Sequence, residues 1–301
     1  GGMEAESRAD ESRDVTLPTE SLAPFRRLSL YNSPYPAHDA GCAIDLYPDS
    51  NDGISPVSGT VRETKTVRTP QKPYAVEHDH LVLVDCDLAW CEAAGLDEQV
   101  VARVLHVDPG VDPGDRVEVG DSLGEMVRSG FFAPWVDNHV HLGFRTTGQN
   151  LHRASGSLPV SLPVVPRPLA WDGRGTVRET GETYVVVDAP AHPGQGWCGI
   201  GAEGDGEHAG VLDGGLPHYD GGGVLGASPE TEGPVSLLGT VVGDRTGRTV
   251  AWRDVELEVS GERAHGLSLF LASAGPAGAK VVCPGHAFER GERVRVQVRV
   301  R

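Results

Sequence analysis

Lysine is scarce: Lys65, Lys72 and Lys280 are the only ones among 301 residues. Asp and Glu number 43 against 26 Lys and Arg, so the formal net charge is −17. Such a surface repels nucleic-acid phosphates unless basic groups cluster, and no basic run stands beside aromatics, so no nucleic-acid partner is expected. Long apolar runs are missing too. None approaches the ~20 residues that cross a bilayer, and no membrane association is expected. No apolar core follows Met3 or the Arg26-Arg27 pair, so no export signal is read and the expected location is cytoplasmic. Paired cysteines are absent as well. Cys42, Cys86, Cys91, Cys198 and Cys283 are odd in number and far apart, without a CxxC, which suits free thiols in a reducing compartment.

Turn formers are abundant, with 40 Gly and 22 Pro, and 39% of the chain is hydrophobic. That composition predicts a packed all-β protein with many turns and few long helices. Strands are expected over 43–47, 57–64, 80–85, 101–107 and 139–145, with a short helix or excursion at 87–99. Residues 174–188 read as a hairpin turning near Gly181. VRVQVRV at 294–300 alternates and predicts a strand with valine on one face. Gly1-Gly2 before Met3 reads as a cloning remnant, and residues 1–24 as a flexible acidic tail. Prolines 159, 163, 166 and 168 oppose a regular element and mark a domain boundary, giving units of 25–155 and 156–301. GTVRET recurs at 59–64 and 175–180, by duplication or by chance recurrence of a Gly-led strand.

The chemistry-bearing signal is His139-Val140-His141 at the start of an apparent strand. Side chains at i and i+2 point the same way, roughly 6.5–7 Å apart, so one imidazole can hold a metal while the other faces substrate. His78-Asp79-His80 shows the same spacing and reads as a strand-face pair. Upstream lies AHDAGCAIDLYP, with His38 and Asp45. Between them stands ARVLHVDPGVDPGDRVEVGDSLGEMVRSG, a run of short strands and tight turns carrying His106. Phe131, Phe132 and Trp135, just ahead of the HVH, read as a cap on the core, with the lining of a substrate groove as the alternative. His192, His208 and His218 fall in a Gly-rich second half, where GGLPHYDGGG allows close backbone approach.

In this order the segments resemble the M23 family of zinc metallopeptidases, of the lysostaphin and LytM type. The matching pieces are Asp45, Gly59-Thr60-Val61, His106 through Gly124, and His139-Val140-His141, over about residues 38–145. The resemblance implies a small β-sandwich or barrel of the duplicated hybrid motif type; the second half, outside the resemblance, reads from its own pattern as β-rich, a lid or wall of the groove. It implies zinc held by His38, Asp45 and His141, with the fourth position open. It assigns His106 and His139 to acid–base work on a metal-activated water and to oxyanion stabilisation. The family spaces its first His and Asp as H-x-x-x-D, whereas His38 stands seven before Asp45. Either a bulge turning at Gly41 still delivers His38, or the third ligand is lost, with Cys42 and Asp39 as other candidates.

The implied activity is a zinc-dependent hydrolase of a peptide or small amide. The alternative is a catalytically degenerate module of the same fold that binds a partner, with or without metal. A histidine phosphoryl carrier is a third, weaker reading. Abundant acid with scarce lysine is similar to the composition of proteins from halophilic archaea.

Overall fold

The computed structural model describes residues 14–35, 38, 40–204, 209–226, 232–277 and 279–301. His208, Asp39 and the first thirteen residues lie outside the described set. The fold is all-β. Among the described residues the α-helices are Thr19–Leu22 and Leu88–Ala93, and no helix is long and apolar enough to cross a membrane.

A ten-stranded sheet carries the site. Six of its strands lie side by side, all antiparallel: Phe25–Ser29, Ile44–Pro48, Val140–Thr146, Val100–Leu105, His78–Cys86 and Gly59–Arg68. Each alternates in the period of a pleated strand, so the two faces differ in chemistry. One face presents Ile44, Leu46, Leu142, Val104 and Val82, all fully buried in a common core. On the other, register sets Ser29, Asp45, His141, Leu105, Leu81 and Lys65 in one row across neighbouring strands. Residues opposite one another on adjacent strands share a face. The row therefore runs from acid and imidazole through two leucines to a cation.

The second half does not stand apart from this sheet. Leu271–Ala272, Cys198–Ile200 and Arg167–Leu169 extend it beyond Phe25–Ser29. A twelve-stranded sheet takes most of the remaining second half, around a separate valine- and leucine-rich core. It includes the hairpin of Arg174–Thr180 with Tyr184–Val187, and the alternating strand Arg293–Val300, whose Val294, Val296 and Val298 are buried.

Of the tail expected over residues 1–24, residues 1–13 lie outside the described set and residues 14–24 are packed against the rest of the chain. Val15–Thr16 pairs in parallel with Val160–Ser161. Val15 and Leu17 are fully buried, and Leu22 nearly so. The polar residues around them mask three apolar anchors. Trp90 of the second helix stacks on Phe144 at 5.4 Å and donates from Nε1 to Ser21 Oγ at 3.2 Å, closing this end of the core. Leu17→Ala should cost about 2–5 kcal/mol, the price of emptying a buried leucine site. Urea unfolding measures it, and a loss under about 0.5 kcal/mol, as at an exposed site, would return this segment to the status of a tail.

Candidate metal centre

Asp45 and His141 face each other as a cross-strand pair, so their meeting is a consequence of register. His139 lies two residues before His141 and shares its face. His38 arrives by a turn: its N–H donates to Tyr35 O at 3.0 Å, and Gly41 N–H donates to His38 O at 3.2 Å. Gly41 then sits at φ +66°, where a Cβ would fall 2.5 Å from an Arg248 nitrogen and 2.8 Å from the Tyr31 hydroxyl. Only glycine fits that corner without strain. The seven-residue spacing is thus accommodated by the Gly41–His38 hydrogen bond and the left-handed corner at Gly41, and His38 still meets Asp45.

Three donor atoms converge. His38 Nε2 lies 3.2 Å from Asp45 Oδ1, Asp45 Oδ1 3.1 Å from His141 Nδ1, and His141 Nδ1 3.3 Å from His38 Nε2. Tetrahedral ligands ~2.0–2.1 Å from zinc stand roughly 3.3–3.4 Å apart. The triangle has nearly the dimensions of one face of such a site. Two imidazoles and a carboxylate also suit zinc chemically. His38 Nδ1–H donates to Leu30 O at 2.7 Å, so its Nε2 lone pair points into the triangle. The Cys42 thiol is directed at Ala40 O, 3.8 Å away, and stands outside the donor group.

Two further imidazoles line the cluster. His139 Nδ1–H donates to Asp137 O at 2.9 Å, leaving Nε2 3.4 Å from Asp45 Oδ1. His106 follows strand Val100–Leu105 at φ +77°, a left-handed conformation that costs a non-glycine residue roughly 1–2 kcal/mol. Strand alternation would send its ring into the core. The reversed backbone returns it to the face of His141, with ring centroids 5.6 Å apart. Asp79 holds it there. Its Oδ1 accepts His106 N–H at 3.0 Å and its Oδ2 accepts the ring Nδ1–H at 2.5 Å. Ser129 Oγ–H and His80 N–H, both at 2.7 Å, complete the carboxylate's partners. In the sequence Asp79 stands only as the middle residue of His78-Asp79-His80, with no role of its own. Strand alternation marks it, since His78 and His80 occupy the opposite face and leave Asp79 pointing inward.

Burial opposes charge on Asp45, yet His139 and His38 beside it, with the His141 hydrogen bond, hold it well below the usual carboxylate range. Burial lowers His139 and His141 to about 4 each, so both rings are neutral near pH 7. His38 also loses solvent, but Asp45 outweighs that and raises it.

The cluster opens into a cavity of about 830 Å³. Phe131 and Phe132 edge this cavity; Phe131 is half-buried, whereas Phe132 is almost fully buried and stacks on His139 with centroids 4.6 Å apart. Trp135 lies half-buried beside them, its carbonyl accepting from Lys280 Nζ. Tyr219, on the turn between the glycine-rich strands Val211–Leu216 and Gly221–Leu225, closes the cavity from the second half.

Other contacts from that half steady the cluster. Buried Asp213 accepts from Ser29 Oγ at 2.5 Å, Leu30 N–H at 2.7 Å and Tyr31 N–H at 3.1 Å, fixing the peptide whose carbonyl orients His38. Buried Lys280 reaches Asp137 Oδ2 at 3.2 Å, and Arg27 reaches the same oxygen at 2.9 Å. Both hold the residue whose carbonyl orients His139. His218 has both ring nitrogens buried without a hydrogen-bond partner among the described residues and sits by Trp135 and Tyr219, outside the donor group. His192 bonds within its own loop.

Burial works against the Asp79 carboxylate, but His106, Ser129 and the His80 amide lower it from 3.8 to about 2. A depressed carboxylate stabilises the fold in full above its unfolded pKa, and that stabilisation is lost as pH falls through its folded value. Wild-type stability should therefore drop from about pH 4 toward pH 2, and Asp79→Asn should flatten that limb. Denaturant midpoints across the interval test this; parallel limbs in the two proteins would contradict it.

Residues 16–162 match the family described as "Domain of unknown function (DUF8155) N-terminal domain". A solved structure described as "A Novel M23 Metalloprotease Pseudoalterin from Deep-sea" is 12% identical, covering 80% of this chain and 96% of that one at a TM-score of 0.27. No curated protein matches. Residues 167–299 match the "Domain of unknown function (DUF8155) C-terminal domain", so the chain carries the two DUF8155 domains in order, one in each half.

Proposed function

We propose that this chain is a zinc-dependent hydrolase of peptide or small amide bonds. The observation that carries the proposal is the triangle of His38 Nε2, Asp45 Oδ1 and His141 Nδ1, with edges of 3.1–3.3 Å, opening on a cavity beside two further imidazoles. The ordered motif that resembles the M23 family supports the same reading.

The three converging residues would hold the ion. When bound, zinc would supply Lewis acidity to a carbonyl and to water. The protein's own groups divide the proton work. His139 is neutral near pH 7 and its Nδ1 proton is committed to Asp137 O, so its Nε2 is the atom available to accept a proton from an attacking water. His106 has the Asp79 carboxylate on Nδ1, which faces any positive charge the ring takes up and fixes its orientation. A protonated Nε2 there would donate to the oxyanion, then to the leaving nitrogen. Phe132 packs against both rings and limits solvent around them.

Zinc content and turnover separate the roles. The purified chain should bind one zinc, and His141→Ala should lose it. His106→Ala should keep the zinc but slow cleavage of oligoglycine or D-amino-acid peptides by about 10²–10⁴-fold. Zinc binding with no turnover of any such peptide would favour the non-catalytic binding module. No stoichiometric zinc would end the proposal.

A further inference from the structure

The cavity is basic in a strongly acidic protein. Its lining includes Lys65, Arg68, Arg103 and Arg153, with Asp45 as the carboxylate. Elsewhere arginine is commonly paired: Arg27 with Asp137, Arg62 with Asp85, Arg116 with Asp87, Arg253 with Asp244. Lys65, Arg68 and Arg153 make no ion pair among the described residues, and Glu63 on the same strand is engaged by His152 at 2.8 Å. Arg103 is buried. Its Nε–H donates to Leu151 O at 2.8 Å, and no carboxylate faces it among the described residues. Burial and neighbouring Arg145 lower its pKa to about 10, the response of a cation without a counter-charge. With 43 acidic residues against 26 basic ones, leaving four cations uncompensated around one hollow puts a positive field where an anion would bind.

Resting on the hydrolase reading, we propose that the cavity takes a short acidic peptide or amide, whose carboxylate binds at the Lys65–Arg68 end while the bond to be cut lies at the histidine cluster. Lys65 and His141 belong to one row, three strands apart. At ~4.8 Å per strand that is ~14 Å, and an extended peptide rises ~3.3 Å per residue. Allowing for the reach of the two basic side chains, the carboxylate falls about two to four residues from the cluster. A polyanion such as nucleic acid meets repulsion from the rest of the −17 surface, whereas a peptide with one carboxylate does not.

The test uses the intact chain as purified and two probes, acetyl-Gly-Gly-Gly-Gly-Glu-amide and its Gln counterpart. Kd is read by calorimetry at roughly 50 mM salt, where screening is weak. Cleavage is followed on the same samples. The Glu peptide should bind at least about ten-fold more tightly, the effect of one charge-assisted hydrogen bond. In the Lys65→Gln/Arg68→Gln double variant, changed only at exposed positions, the difference should fall below about two-fold, with the Gln peptide's Kd unchanged. The proposal is overturned by equal binding of the two peptides, by binding of neither, by discrimination that survives the double variant, or by tighter binding of an oligothymidylate. Discrimination without cleavage would leave the acidic-ligand site standing and count against the hydrolase reading. Cleavage without discrimination would do the reverse.

Discussion

A single carboxylate oxygen faces three imidazole nitrogens: Asp45 Oδ1 lies 3.1 Å from His141, 3.2 Å from His38 and 3.4 Å from His139. Asp45, His38 and His139 are almost fully buried. Removing an unpaired carboxylate from water costs several kcal/mol, and lone pairs crowded this closely repel one another. Such a cluster is tolerable only with positive charge at its centre, either protons shared among the rings or a cation. His38 and His139 each give their Nδ1 proton to a backbone carbonyl, so Nε2 is the nitrogen that each ring turns toward Asp45.

Much of the remaining structure serves to hold those rings. Each imidazole is oriented through its second nitrogen or through strand register, and the orienting groups are themselves anchored. Leu30 is fixed by Asp213, Asp137 by Lys280 and Arg27, and His106 by Asp79. Two of these anchors, Asp213 and Lys280, belong to the second half. Its three strands in the ten-stranded sheet and Tyr219 at the cavity make it part of the site's framework. Removing that half would release the carbonyls that orient His38 and His139, so the first half alone lacks the full support of its own cluster.

How much of this the sequence discloses depends on whether a contact is local. His139 and His141 are legible because strand periodicity alone puts them on one face. Asp45 is legible from the ordered motif, and register accounts for its place opposite His141. Whether His38 reaches the cluster is not legible. The outcome turns on a left-handed corner at Gly41 whose carbonyl accepts from Arg248, 207 positions away. Asp79 is legible once the strand is taken to begin at His78, where it does, and not at His80. Asp213 and Lys280 leave no local trace. Asp213 acts on Ser29 across 184 positions and Lys280 on Asp137 across 143, and each is an ordinary residue in its own strand. Val15, Leu17 and Leu22 are hidden for another reason: polar neighbours dilute three apolar side chains whose burial depends on surfaces far along the chain.

Zinc-edge X-ray absorption on the zinc-loaded chain tests the central claim most directly, since it reads the atoms around the ion. The account predicts a first shell of nitrogen and oxygen at ~2.0–2.1 Å with the outer scattering of two imidazoles. A sulfur neighbour at ~2.3 Å, which would bring in Cys42, or a shell of water oxygens with no imidazole, would contradict it.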